Sequence, residues 1–139
     1  MHRILIAVAL AVVPTAVGIA QGGDLEQAAE RARQAWFDHD PAALVANSSR
    51  LLIQLPGADP SVALGPAQAA ALLTDFLSPT QEVETLVRAA REVGPGRGYV
   101  ELQRHYRVAG TQNVRVQALL LGYRLGQTGW NLVELRVVG

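Results

Sequence analysis

The chain has 139 residues, 50% of them hydrophobic and 17% charged, which fits one globular domain and excludes a disordered tail, a collagen-like repeat and a polytopic membrane protein. All twelve basic residues are arginine and twelve acidic residues cancel them, so the chain has no electrostatic footprint for nucleic acid, no Schiff-base lysine and no Walker-type phosphate lysine. The absence of cysteine removes thiol nucleophiles, cysteine-based zinc sites, disulfides and a lipid-modified N-terminal cysteine.

Met1-His2-Arg3 carries one firm positive charge, and an uncharged stretch follows from Ile4 to Ala20. Gly18-Ile19-Ala20 closes it with small residues where signal peptidase reads. Residues 1–20 therefore read as a signal peptide cleaved before Gln21, leaving 21–139 as a single domain. The alternative is an uncleaved anchor, because the run lies at the lower edge of a membrane span. Either way Arg3 stays inside and the domain is carried across. The expected location is extracytoplasmic, periplasmic or secreted, in a bacterium whose arginine-only, alanine-rich usage suits a GC-rich genome. The glycosylation triplet Asn47-Ser48-Ser49 is read as coincidental in that setting.

Asp24 followed by Gln27 has the form of a capping box. Leu25, Ala28, Ala29, Ala32, Trp36 and His39 then recur at helical spacing, which predicts an amphipathic first helix. Asp40-Pro41 predicts a short second helix carrying Leu44 and Val45. Leu51, Ile53 and Leu55 alternate as in a strand, and Ser61–Leu64 reads as a brief extended piece. Gly65-Pro66 opens a third helix that buries Ala69, Leu72, Leu73, Phe76 and Leu77, and Ser78-Pro79 stops it.

After residue 80 the period becomes alternating, with strands predicted over Glu82–Glu92, Tyr99–Val108, Val114–Leu125 and Trp130–Val138. The links between them are short and rich in glycine, so neighbouring strands must be antiparallel. Helices first and a meander afterwards make an α+β domain.

In element order, and in Leu52-Ile53-Gln54-Leu55-Pro56-Gly57, Gly65-Pro66-Ala67-Gln68-Ala69, Leu72-Leu73-Thr74-Asp75-Phe76-Leu77 and the tail beginning Trp130-Asn131-Leu132, the chain resembles the nuclear transport factor 2-like superfamily. It looks most like small secreted bacterial members without assigned function. The resemblance implies a cone: N-terminal helices packed in a curved antiparallel sheet, often with an internal pocket and often dimerising through the outer sheet face. The superfamily's enzymes place acidic residues, histidine or tyrosine inside the cone, but no catalytic residue of theirs matches a position here.

Four residues stand out as candidate ligand contacts: Arg104, Tyr106, Trp36 and His39. Alternation with Val100, Leu102, Tyr106 and Val108 places Arg104 inward, where a guanidinium needs an anion. Three answers are open: a protein carboxylate, a bulge that turns Arg104 to solvent, or an anionic ligand with Tyr106 as hydroxyl donor. Glu134 is one internal partner to consider, although Val133 and Leu135 give it the opposite parity. Asp38-His39-Asp40 cannot converge on one metal ion, since neighbouring helical side chains diverge by about 100°, and no metal or cofactor is expected. His39 lies on the Trp36 face, where a histidine at a helix end ordinarily satisfies carbonyls. The Gly94–Gly98 segment reads as a hairpin turn, and Ser48, Ser49, Ser61 and Ser78 have no nucleophile-elbow context.

The reading that follows is a non-catalytic binding or assembly module of the cell envelope, its partner a small anionic ligand or an envelope protein. The alternative is an isomerase, dehydratase or cyclase that uses the cone, with Asp38, His39 and Tyr106 as the available acid–base groups. Tyr99, Gln103, His105 and Arg107 share one strand face and suit a homodimer contact.

Overall fold

A computed structural model of the chain describes residues 17–139, with side chains from Asp24 onward. Most of the expected signal peptide, residues 1–16, lies outside the described residues. The first helix, α1, spans Val17–Phe37. It begins before Asp24, the cap expected from the sequence, and this is a correction. Between Val17 and Asp24 Gly18, Gly22 and Gly23 weaken a helix, each by about 1 kcal/mol, and none stops one. Asp24 is thus an exposed residue inside α1, and the expected cleavage site falls on the same helix.

The buried stripe of α1 is the one its spacing requires, from Leu25 through Ala29 and Ala32 to Trp36. The helix closes with two reversed hydrogen bonds. The His39 N–H donates to the Trp36 carbonyl at 2.9 Å, and the Asp40 N–H donates to the Ala35 carbonyl at 2.8 Å. This is a Schellman closure, and His39 holds its left-handed position at φ 53°, where glycine is the usual occupant. Asp40 then caps α2, Pro41–Leu44, accepting from the Ala43 N–H at 3.2 Å with Pro41 in the first turn.

Strand β1 is only Leu52–Gln54. The extended piece at Ser61–Leu64 is a one-rung partner to it and not a strand: Leu51 and Leu64 exchange backbone hydrogen bonds of 3.0 and 2.8 Å. Helix α3, Pro66–Leu77, starts where Gly65-Pro66 predicts, with the Gln68 amide oxygen accepting from the Gly65 N–H at 3.1 Å. Ala69, Leu73 and Leu77 form its buried face, while Leu72 and Phe76 are partly covered.

Four long strands follow: β2 Thr80–Gly94, β3 Arg97–Val108, β4 Arg115–Gly126 and β5 Gly129–Val138. They pair antiparallel as a meander, as the short links demand. At the β2–β3 turn Gly96 takes φ 65°, a conformation that side chains disfavour. The sheet is mixed, however, in the order β1-β5-β4-β3-β2, because β1 pairs parallel with β5. The wholly antiparallel sheet expected from the sequence is corrected on this point. The chain between β1 and β5 is long enough for the crossover that parallel pairing needs.

One face of the sheet packs against the helices. Val100 and Leu102 of β3, Leu119 and Leu121 of β4, and Leu135 and Val137 of β5 are all buried there with Trp36 and Leu73. The other face is half-buried and polar. Tyr99 donates its hydroxyl to Glu101 at 2.9 Å and carries the Arg91 guanidinium 5.3 Å above its ring.

Candidate functional site

Register fixes the inner face around Arg104. It stands opposite Gln117 on β4 and Thr85 on β2, and all three are buried. Arg104 itself is 0% exposed. Its anion is Glu82, whose side chain is 1% exposed. Nε of Arg104 donates to Glu82 Oε2 at 3.2 Å, and Nη2 makes a second, shorter bond to Oε1. Nη1 donates to the Gln117 amide oxygen at 3.1 Å, and Nη2 to the Thr80 hydroxyl at 3.0 Å. Three rings enclose the guanidinium: Tyr106 at 4.0 Å, Trp36 at 5.3 Å and Phe76 at 5.7 Å from its central carbon. Such stacking on aromatic faces suits a weakly hydrated guanidinium.

The four sequence candidates therefore meet around one buried charge, although in roles that differ from those expected. Tyr106 offers its ring face to Arg104, not its hydroxyl. Trp36 packs at 1% exposure with its indole N–H unpartnered. His39 does not cap helix carbonyls. The left-handed turn throws its ring across to β2, where Nε2 lies 3.1 Å from Glu82 Oε1. The residue that completes the cluster, Glu82, is not among the four. Glu134, the partner considered from sequence, is exposed on the outer face.

Asp38, His39 and Asp40 diverge as helical geometry requires. Asp38 accepts from the Gln34 side chain at 3.0 Å, Asp40 caps α2, and His39 turns to Glu82. Among the described residues no group of three acidic or histidine side chains could hold a metal ion. Ser48 is buried and structural, its hydroxyl donating to the Leu132 carbonyl at 2.6 Å.

Two concavities flank this cluster. A shallow cleft of about 400 Å³ runs between the end of α1 and the start of β2, lined by His39, Glu82, Gln81 and Arg107. The Nε of Arg107 is buried there without a hydrogen-bond partner. A deeper groove of about 350 Å³ lies between α1, α2 and the facing ends of β4 and β5. Ala28, Ala32, Ala35 and Leu44 give it an apolar wall, and Tyr123, Trp130 and Leu132 contribute from the sheet. Tyr123 is 6% exposed, and burial pushes its phenol well above the usual range, with Arg31 opposing that shift weakly. Its hydroxyl has no hydrogen-bond partner among the described residues. Sequence reasoning passed over Tyr123, because Leu119-Leu120-Leu121 is apolar on both faces and hides which one points inward.

The fold has solved counterparts. A ketosteroid isomerase-like protein from Erwinia carotovora atroseptica superposes with a TM-score of 0.69 at 16% identity, over 84% of this chain and 94% of that one. A nuclear transport factor 2-like protein with a cystatin-like fold from Novosphingobium aromaticivorans gives 0.64 at 17% identity, over 87% and 82%. A DUF4783 family protein from Bacteroides ovatus gives 0.63 at 10% identity, over 77% and 90%. No protein-family model matches the sequence, and no curated protein does. The chain has the nuclear transport factor 2-like fold that its sequence pattern resembles, and at these identities the likeness concerns the fold alone.

Proposed function

We propose that the chain is an extracytoplasmic binding or assembly module with no catalytic role. The observation that carries this reading is the closure of the interior polar cluster. Arg104 is wholly buried, and its charge is met by Glu82 of the same chain, with Gln117 and Thr80 taking further donors. A satisfied buried pair is costly to open, so it serves poorly as a reactive centre and well as an internal brace. Binding then falls to the groove beside it. Extracytoplasmic placement rests on the charged start, the apolar run and the small residues before Gln21. Among the described residues no helix is long and apolar enough to cross a membrane.

Native mass spectrometry of the protein isolated from the envelope or medium of its source tests this reading. The expected result is a mature chain that begins within a few residues of Gln21 and carries a non-covalent small molecule released by gentle activation. Recovery from the cytosol with Met1 intact and no adduct contradicts it.

A second reading, a small-molecule isomerase or dehydratase, is favoured by one specific observation. His39 holds a left-handed backbone, its ring is 29% exposed, and it meets a buried carboxylate. Strained backbone of this kind clusters at functional sites, and a carboxylate that fixes one ring nitrogen leaves the other as a base. That reading requires a turnover that His39→Gln abolishes while the fold is kept.

A further inference from the structure

From the groove between α1, α2 and the β4–β5 ends, we infer a binding site for a small zwitterion: an apolar or aromatic body with a carboxylate at one end and an ammonium at the other. The inference rests on the binding-module reading and names the class of ligand that the groove would take.

The anchor is Tyr123. A phenol that is nine-tenths buried ordinarily finds a hydrogen-bond partner. Here the ring is buried while the hydroxyl, which makes no hydrogen bond among the described residues, opens onto a groove of about 350 Å³. Burial keeps it protonated, so its O–H is available to donate to an acceptor in the groove. Arg31 lines the same end of the groove, is exposed and makes no ion pair or hydrogen bond among the described residues. A neutral donor beside an uncommitted guanidinium is a carboxylate receptor.

The far end has the opposite sign. Asp38 and Asp40 line the groove there, on the closing turn of α1. Each carboxylate accepts one group of its own surroundings, the Gln34 amide or the Ala43 N–H, and keeps lone pairs for more. Arg31 and Asp38 stand two turns apart on one helix, a rise of about 10 Å. Between them Ala28, Ala32 and Ala35 present short side chains opposite Trp130 and Leu132, leaving room for a flat apolar body. A plain carboxylate would face repulsion from the aspartates, and a plain amine would leave Arg31 unanswered. Only a ligand charged at both ends satisfies both.

The test uses 4-(aminomethyl)phenylacetate as probe, with phenylacetate and 4-methylbenzylamine as single-charge controls, titrated into the full-length mature protein and followed by NMR. The zwitterion should bind at least about tenfold tighter than either control. Tyr123→Phe, which removes only the hydroxyl, and Arg31→Gln should each weaken it about tenfold. Arg91→Gln, which alters a residue over the Tyr99 ring on the outer sheet face, should leave it unchanged. Equal affinity for the three probes, indifference to both groove variants, or no binding up to about 10 mM, a limit that only very weak affinities escape, overturns the inference. A small molecule still retained by the native protein would then show that the binding reading survives and that this site assignment alone has failed.

Discussion

Removing Glu82 should be more damaging than removing Arg104, although the two form one pair. Both side chains are essentially inaccessible, at 1% and 0% exposure. Two unit charges in contact attract by about 4 kcal/mol at an effective dielectric near 20, and desolvation consumes several kcal/mol per ion. The pair is close to break-even as a unit, while breaking it by removing one member costs about 3–5 kcal/mol. The remaining partners decide where in that range each variant falls. In Glu82→Leu the guanidinium keeps only the neutral acceptors Gln117 and Thr80, so the loss should reach the upper end. In Arg104→Met the carboxylate keeps His39 at 3.1 Å, a group able to take up positive charge, so the loss should sit at the lower end. The double variant removes both charges and should lie within about 1–2 kcal/mol of wild type, giving a coupling energy of at least about 4 kcal/mol. Urea unfolding followed by tryptophan fluorescence measures all four proteins. Single variants that each cost under about 1 kcal/mol and simply add would refute the assignment of Glu82 as the charge partner.

Thr85 buries its hydroxyl beneath β3 with no hydrogen-bond partner, so Thr85→Val should stabilise the fold by about 1 kcal/mol; a destabilised variant in the same urea assay would mean the hydroxyl is satisfied. Tyr123 has its phenol pKa raised by burial, so the folded state favours the protonated form, and stability should be complete below the ordinary phenol value near 10 and decline as pH climbs past it. Ultraviolet titration of wild type against Tyr123→Phe checks this: the two curves should coincide through about pH 10, and one additional phenol ionising near 10 in wild type would place Tyr123 in solvent. A methyl at Gly98 would stand 2.9 Å from Leu25 Cδ1 and 3.2 Å from the Trp130 ring, so Gly98→Ala should destabilise by about 1–3 kcal/mol, and a neutral change in melting would show that α1 packs less closely on β3.

The parts of the fold that periodicity governs were legible. The stripe from Leu25 to Trp36, the Asp40-Pro41 start of α2 and the four-strand meander are each written in local spacing, and alternation alone turned Arg104 inward. Its partner was not legible, for a specific reason. Regular alternation along Gln81-Glu82-Val83-Glu84 puts both glutamates on one face. The structure has a register shift between Glu82 and Glu84, so Glu82 faces Tyr106 inside while Glu84 faces His105 outside. A bulge adds one residue to one strand and leaves no strong mark in composition. The parallel docking of β1 on β5 joins distant segments and has no local signal either. His39 was legible as unusual, but its left-handed closure and its reach to β2 belong to the tertiary fold.

The central claim is that the inner cluster is closed by the protein's own carboxylate and that ligand is held in the neighbouring groove. A crystal structure of the protein as isolated from its source, with whatever it retains, tests this most directly. The account expects ligand density in the α1–α2 groove, with an acceptor atom on the Tyr123 hydroxyl and the Arg104–Glu82 pair intact. Ligand density in contact with the Arg104 guanidinium, with Glu82 displaced, would contradict it.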